Sequence, residues 1–458
     1  MTIQIVILAA GSGTRMHSAM PKVMHHIGGK TLLEHVIQKS LSLATLPPPI
    51  VIHGHQGKSV QDYHAAYSVQ WIEQKEQLGT AHALLQALPA IRAADRVLVL
   101  YGDMPLITLK TLNQLIQTTN DHAIGIVTAN LSCPTHYGRI KRDSKNHIIG
   151  IVEEKDATES EQAITEINAG IYLIPCELLK KYLSCIQNNN QQGEYYLPDI
   201  IGFATKDHIE IHAVISEKTD EVLGINTRNQ LAHLERLYQR EQADKLMAQG
   251  VTLFDPNRLD IRGDIQIAPD VTIDVNVILE GRVVIGQNSI IGPHVILRNT
   301  TLADHVHVRA HSIIDGANVA CGCIIGPFAR IRPETTLKDN VHIGNFVEVK
   351  QSTIEASSKI NHLSYIGDCE MGQRVNVGAG TITCNYDGAN KHKTIIENDV
   401  HIGSDTQLVA PLIVKEGTTI GAGSTVTHST PPNELTITHV LKQRTVPSWK
   451  RPKRITRN

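Results

Sequence analysis

Between Asp264 and Val426 an aliphatic residue returns at every sixth position and is often followed by glycine, as in Ile285-Gly286, Ile291-Gly292, Ile325-Gly326, Ile343-Gly344, Ile366-Gly367, Val377-Gly378, Ile402-Gly403 and Ile420-Gly421. A period of six suits neither a 3.6-residue helix nor a free-standing strand, so the stretch calls for a solenoid whose coil has three short flat sides. The aliphatics fall into triplets: Ile267, Ile273, Leu279; Ile285, Ile291, Leu297; Leu302, Val308, Ile314; Val319, Ile325, Ile331; Leu337, Ile343, Val349; and Ile354, Ile360, Ile366. Each triplet starts about 17 or 18 residues after the last, which is one coil. The expected architecture is a parallel β-helix of about nine coils, with aliphatics stacked inward as ladders and glycines or other small residues at tight corners. After Met371 and Val377 the pattern lapses, and it resumes at Ile396, Ile402, Leu408 and then Val414, Ile420, Val426. Roughly seven extra residues therefore leave the wall within residues 381–394, and insertions in solenoids become loops on a binding face. This one carries Asn385, Tyr386, Asp387 and Lys393.

The repeats resemble those of left-handed β-helix acyltransferases, which work as trimers with acyl-donor sites between subunits. That resemblance implies the left-handed coil, against the general preference for right-handed parallel crossovers.

At 458 residues the chain is long enough for two or more domains with substantial cores. A net charge of −2 and few aromatics make no case for a nucleic-acid partner. Seven cysteines with no Cys-x-x-Cys pair read as free thiols in a reducing compartment, and Cys321 and Cys323 read as wall residues rather than metal ligands. The apolar start, Ile5 to Ala10, lacks a basic leader and is too short for a signal core, so it reads as a buried strand. No stretch approaches a membrane-spanning length, and the expected location is the cytoplasm, with no membrane partner.

Ahead of the repeats, strands and helices alternate. A continuous apolar strand, Ile3 to Ala9, empties into Ala10-Gly11-Ser12-Gly13-Thr14-Arg15-Met16. A lone G-x-G is as often an ordinary tight turn as a phosphate loop. Arg15 and Lys22 tip the balance, because their charges can meet a polyphosphate that backbone amides begin to cradle. The spacing then predicts a helix over 31–43, stopped by Pro47-Pro48-Pro49, and a strand over 50–53. Further elements are expected as a strand over 69–72, a helix over 80–88, a strand over 96–101 and a helix over 109–117. Such alternation predicts a doubly wound, Rossmann-like α/β domain with ligands beyond the carboxyl ends of its strands. Asp103, in Tyr101-Gly102-Asp103, stands at one such end, where a turn or cap aspartate would look the same. The amides and hydroxyls of residues 73–80 suit a base or sugar edge, and a solvated loop equally. Polar groups at Tyr137-Gly138-Arg139, Glu153-Glu154 and Asn168-Ala169-Gly170 stand at strand ends where they can converge on one pocket.

The α/β domain is expected over 1–226, a linking helix over 227–250 and the β-helix with a basic tail over 251–458. In the helix Leu231, Leu234, Tyr238 and Leu246 fall near helical spacing, ended by Gly250. The tail from Thr438 to Asn458 holds basic and no acidic residues; it reads as a solvated terminus or as a cover for an anionic ligand.

The loop Leu8-Ala9-Ala10-Gly11-Ser12-Gly13-Thr14-Arg15-Met16 with Pro21-Lys22 resembles the signature of sugar-nucleotide pyrophosphorylases. Joined to a hexapeptide β-helix with Asn361-His362-Leu363 and the run from Gly378 to Gly388, nearly the whole chain resembles the bifunctional N-acetylglucosamine-1-phosphate uridyltransferase and glucosamine-1-phosphate acetyltransferase family. The resemblance implies acetyl transfer from acetyl-CoA to glucosamine-1-phosphate by the C-terminal domain. Uridylyl transfer from UTP by the N-terminal domain would follow, giving UDP-N-acetylglucosamine and pyrophosphate for bacterial cell-envelope polymers. It places Arg15 and Lys22 on phosphates, Leu8, Ala9, Ala10 and Gly11 along the nucleotide, and Gln74, Gly79 and Thr80 at uracil. Tyr101, Gly102 and Asp103 join this set, Gly138, Glu153 and Asn168 hold the sugar, and Asp103 and Asn226 hold Mg2+. Oxygen ligands suit such a hard cation. It makes His362 the general base of acetyl transfer, since neutral imidazole can take a proton from the sugar amine near pH 7. Glu348 is the candidate to orient it. Arg332, Lys350, Tyr365, Asn376, Asn385 and Tyr386 match the sugar-phosphate positions; Ala379, Ser404, Ala422 and His439 match the acetyl-CoA site; and a homotrimer is implied.

Two positions depart from the family pattern: Ala81 where glycine is frequent, and His439 where arginine is usual, with Lys442 and Arg444 near enough in sequence to substitute. Two other readings compete. A single-function nucleotidyltransferase whose β-helix only assembles subunits leaves His362 and the Asn385 loop without a task. A solenoid binding protein does the same to Asp103 and Asn226.

Overall fold

The computed structural model describes residues 2–11, 13–43, 47–54, 57–91 and 94–438. The chain divides into two compact units, residues 1–241 and 242–458.

In the first unit the sheet path runs Ile211–Ile215, Ile124–Asn130, Glu166–Pro175, Arg96–Tyr101, Ile3–Ala9, Ile50–His53, Gln70–Glu73, with the hairpin Arg139–Arg142 and Ile148–Val152 branching from Glu166–Pro175. Ile3–Ala9 is buried along its whole length because both sheet faces are covered. Val6 and Leu8 pack into one apolar cluster while Ile5, Ile7 and Ala9 pack into another, as the two-residue period of a strand dictates. The doubly wound expectation meets one exception, since Glu166–Pro175 runs antiparallel to both neighbours. Its pairing with Ile124–Asn130 shifts register between Asn168 and Tyr172. The extra chain forms a bulge that turns Asn168, Ala169 and Gly170 toward the strand ends.

A helix spans Arg228–Ala248, and the unit boundary falls inside it. Leu234 belongs to the apolar cluster of Met16, Ile27 and Leu32, whereas Leu246 belongs to the core of the second unit.

The second unit is a parallel β-helix in which each short strand pairs with the equivalent strand of the next coil. One inward row reads Ile273, Ile291, Val308, Ile325, Ile343, Ile360, Val377, Ile402, Ile420. Coil-to-coil contacts link residues 17 or 18 apart, widening to 25 at the insertion. The wall continues further into the lapse than the aliphatic pattern predicts. Thr383 fills the position above Ile366 and is fully buried, with its hydroxyl bonded to both the N–H (2.8 Å) and the carbonyl (3.0 Å) of Gly367. Those two bonds satisfy a polar group in an aliphatic row, so the excursion is confined between Cys384 and Thr394. Cys323 is buried in the core and Cys321 exposed, and every described cysteine is free.

The expectation that glycines form the tight corners is corrected by the backbone. Most glycines that follow ladder aliphatics lack positive φ; a Cβ on Gly344 would lie 1.9 Å from the carbonyl oxygen of Asn361 on the next coil. They permit close stacking of coils. The left-handed corner of this row falls two residues later, on His294, His311, Phe328, Phe346, Leu363, Gly380, Asp405 and Gly423.

Candidate active sites

The first unit holds a cleft of about 440 Å³ at the carboxyl ends of its central strands. Leu8, Ala9, Ala10, Gly11, Lys22, Gln74, Gly79, Thr80, Tyr101, Asp103, Gly138, Glu153, Asn168 and Asn226 line it. Two sequence candidates stand outside that lining. Gly102 packs toward Ala9 and Leu33, and Arg15 is exposed on the short turn Thr14–Met16. Gln77 and Tyr137, from the two polar stretches singled out in the sequence, also line the cleft, together with His136, Glu194 and Gly224, which were not singled out as site residues.

Gly13 shows why the loop needs glycine: its φ is 62°, and a Cβ there would lie 2.7 Å from the Lys22 Cβ. With that space open, Lys22 reaches across the cleft, where its ammonium donates to Asp103 and, at 3.0 Å, to Asn226 Oδ1. Asn226 is itself fixed, because its N–H and that of Thr227 both donate to Gln230 Oε1, while Gln230 N–H donates to the Thr227 hydroxyl. That reciprocal cap starts the helix at Arg228 and holds the Asn226 amide at the cleft. Gln74, 3% exposed, donates to Gly79 O at 3.2 Å. The Thr80 hydroxyl accepts from Leu197 N–H at 3.1 Å, tying the segment to the loop behind it.

Glu153 lies against Gly138, where a Cβ would meet its carboxylate at 3.1 Å. Burial, with Asp156, Asp199 and Glu194 nearby and only Arg139 opposing, pushes its carboxyl up to about 7. Asn168 is buried with both ends of its amide bound, to Tyr172 OH (2.7 Å) and Gly170 N–H (2.9 Å). Burial also raises the Tyr101 and Tyr137 phenols, which remain neutral donors.

In the second unit the register places His362 directly above Asn345. Ladder hydrogen bonds from Leu363 N–H to Asn345 O, Asp405 N–H to Ala379 O and Gly423 N–H to Ser404 O continue the same row upward. The row therefore reads Asn345, His362, Ala379, Ser404, Ala422, each immediately before a left-handed corner. Below His362 the corner carries stacked rings, with His294 and His311 at 4.7 Å, His311 and Phe328 at 4.8 Å, and Phe328 and Phe346 at 5.3 Å. Above Leu363 it carries Gly380, Asp405 and Gly423. Above the imidazole the row carries Ala379, Ser404 and Ala422, all smaller than the Asn345 and His362 side chains below.

Around the corner from His362, register stacks Arg332 on Lys350 and Glu348 on Tyr365. Glu348 accepts from Arg332 Nη1 at 2.9 Å, so the carboxylate expected to orient His362 is engaged elsewhere. His362 Nδ1 instead meets Asn345 Oδ1 at 3.3 Å. Asn385 at the foot of the insertion donates to Asp368 and lies 3.5 Å from Tyr365 OH. Lys391, whose ammonium is disfavoured by neighbouring Lys350, adds a second amine beside the Lys350 row. Asn376 stands beside Lys359 on the His362 sheet, and Tyr386 is 61% exposed on the loop. His439, Lys442 and Arg444 lie outside the described residues.

An α/β cleft with a glycine loop and a lysine that meets two side-chain oxygens, joined in one chain to a hexapeptide β-helix, is the architecture of a nucleotidyltransferase carrying an acyltransferase-type solenoid. The MobA-like NTP transferase domain matches residues 5–251, and the GMPPB C-terminal domain matches residues 261–337. The chain is 50% identical over 455 residues to the bifunctional protein GlmU of Methylococcus capsulatus, covering 99% of this chain and 98% of that one. It is 48% identical to the GlmU of Azoarcus sp. (98% and 99% covered) and 50% identical to that of Nitrosospira multiformis (98% and 98%). Among solved structures, UDP-glucose pyrophosphorylase complexed with UDP-glucose matches 53% of this chain and 100% of its own at 18% identity and a TM-score of 0.44, too loose a likeness to carry an argument. The chain belongs to the GlmU family of bifunctional proteins. It is a bifunctional enzyme of UDP-N-acetylglucosamine synthesis, with a uridylyltransferase and an acetyltransferase activity.

Proposed function

We propose that the cleft of the first unit carries uridylyl transfer and that the row starting at His362 carries acetyl transfer. The carrying observation for the first is the convergence of Lys22, Asp103 and Asn226 at the mouth of the glycine loop. The phosphate oxygen of N-acetylglucosamine-1-phosphate attacks the α-phosphorus of UTP, the α–β bridging bond breaks, and pyrophosphate leaves. Lys22, released from Asp103 by the incoming phosphates, neutralises the charge that gathers on them, and Arg15 lies exposed on the same loop to assist. Gln74, Gly79 and Thr80 hold the base, and Gly138, Glu153 and Asn168 hold the sugar. Asp103 and Asn226 already aim two oxygens at one cation, the Lys22 ammonium, and that donor set fits Mg2+. When bound there, Mg2+ would supply charge neutralisation to the phosphates.

In the second unit, His362 accepts a proton from the amine of glucosamine-1-phosphate as its nitrogen attacks the thioester carbonyl. The C–S bond then breaks, the departing sulfur takes that proton from the His362 imidazolium, and CoA leaves as the thiol. Arg332 and Lys350 form the cationic row for the sugar phosphate, with Tyr365, Asn376, Asn385 and Tyr386 beside it. Ala379, Ser404 and Ala422 form a track narrow enough in side chain to admit the extended acyl-CoA arm. His362, Leu363 and the Phe328–Phe346 stack are exposed, so the row is open on one side. This supports a homotrimer in which a second subunit closes the site, to be checked by sedimentation under assay conditions; an active monomer would overturn it. Free thiols in every described cysteine, and no described helix long and apolar enough to cross a membrane, support action in the cytoplasm.

The decisive experiment supplies glucosamine-1-phosphate, acetyl-CoA, UTP and Mg2+ together. Both acetylated sugar phosphate and UDP-sugar should form. Formation of the UDP-sugar only when N-acetylglucosamine-1-phosphate is supplied would leave the β-helix without its reaction.

A further inference from the structure

Asn345 matches none of the motif residues assigned to the acetyl-transfer site, yet its amide is the described hydrogen-bond partner of the His362 ring. The contact joins Asn345 Oδ1 to His362 Nδ1 at 3.3 Å. It arises from the architecture of the wall. Asn345 and His362 are register partners on adjacent coils, each one residue before a left-handed corner, Phe346 and Leu363. Just before them Gly344 lies so close under Asn361 that a Cβ would fall 1.9 Å from its carbonyl oxygen. The coils thus approach as closely as backbones allow at the position where the amide must reach the ring.

We infer that Asn345 is the positioning residue of acetyl transfer, holding the His362 imidazole in the tautomer whose Nε2 is free to accept the substrate proton. An amide oxygen accepts but cannot donate, so it selects the ring with its proton on Nδ1 and leaves the lone pair on Nε2. It also fixes the ring plane, which otherwise rotates on an exposed side chain. The amide is neutral, so unlike the acceptor of a carboxylate–histidine pair it places no formal charge beside the base. The other titratable groups on these two strands, His342 and Lys359, pair with each other further back, and around the corner Glu348 is held by Arg332 while Tyr365 stacks on it.

This inference rests on the reading of His362 as the base, and the test separates the two. Acetyl transfer is measured as kcat and KM across pH for Asn345→Leu, Asn345→Asp and His362→Ala, with uridylyl transfer by the same preparations as the folding control. Asn345→Leu should lower the acetyl-transfer kcat roughly 10- to 100-fold with little change in either KM. Asn345→Asp keeps the acceptor and adds charge, so it should retain more activity than Asn345→Leu while moving the acidic limb of the kcat profile to higher pH. Native kcat in Asn345→Leu, or an acidic limb in Asn345→Asp that coincides with the native one, overturns the positioning role. Substantial acetyl transfer by His362→Ala overturns the base assignment itself, whatever the Asn345 variants do.

Discussion

Lys22 and Asn226, 204 residues apart, meet at 3.0 Å in the cleft of the first unit, with Asp103 as the second acceptor of the same ammonium. A cation thus stands between two oxygen ligands before any substrate arrives, with the two side chains of the ion pair only 11% and 13% exposed. On the proposed reading of this cleft, substrate binding exchanges the internal pair for pairs to phosphate and cation, so the three residues would act as one unit.

That coupling predicts non-additive loss. Lys22→Met and Asp103→Asn should each reduce uridylyl transfer by about 10²- to 10³-fold, and the double variant should fall by much less than the product. Pyrophosphate release measures the loss. Acetyl transfer, followed as CoA thiol, should stay within about twofold in all three, since the residues belong to the first unit.

His362→Ala should show the complementary pattern, with acetyl transfer lost by about 10²-fold or more and uridylyl transfer kept. Because the side chain is exposed on the wall, the thermal midpoint should hardly move.

Filling the track above the imidazole should act on the donor. Ala379→Leu and Ala422→Leu replace small side chains on the outer face, and the KM for acetyl-CoA should rise about tenfold or more while the KM for glucosamine-1-phosphate changes little. Equal rises in both would place the acyl arm elsewhere.

Glu153 carries a pH signature. Its carboxyl is raised from the ordinary glutamate value of 4.5 to about 7 in the fold, first by burial and then by Asp156 and Asp199. The folded state therefore binds the more tightly held proton. Stability from this group is full below about pH 4.5 and is lost as pH rises through about 7, by on the order of 3 kcal/mol. Glu153→Gln should flatten that part of the stability profile, measured as the denaturation midpoint of the full chain between pH 5 and pH 8. A native profile in the variant would mean that other groups set the slope.

The close stacking below His362 predicts that Gly344→Ala, with its Cβ 1.9 Å from the Asn361 carbonyl oxygen, should destabilise the β-helix by about 1–3 kcal/mol. Acetyl transfer should fall with it, read against unchanged uridylyl transfer.

Local repetition and local chemistry were open to reading in the chain itself. A six-residue aliphatic period can be satisfied only by stacked coils, because no coil buries its own face, and each ladder row follows from it without further information. The glycine loop after a fully apolar strand could be read as a ligand loop only with Arg15 and Lys22 beside it, since a lone G-x-G is as often an ordinary turn. Tertiary structure decided everything that depends on register or on distant partners. The run of aliphatics gave no sign that Thr383 continues the wall, because its hydroxyl is satisfied by backbone groups of the preceding coil, chiefly those of Gly367. Whether Glu348 or Asn345 reaches His362 turns on which residues of adjacent coils stack, and a one-residue slip would exchange inward and outward faces. The meeting of Lys22 with Asn226, and the burial and acidic neighbours that lift Glu153, join segments brought together only when the sheet and its loops close over one cleft.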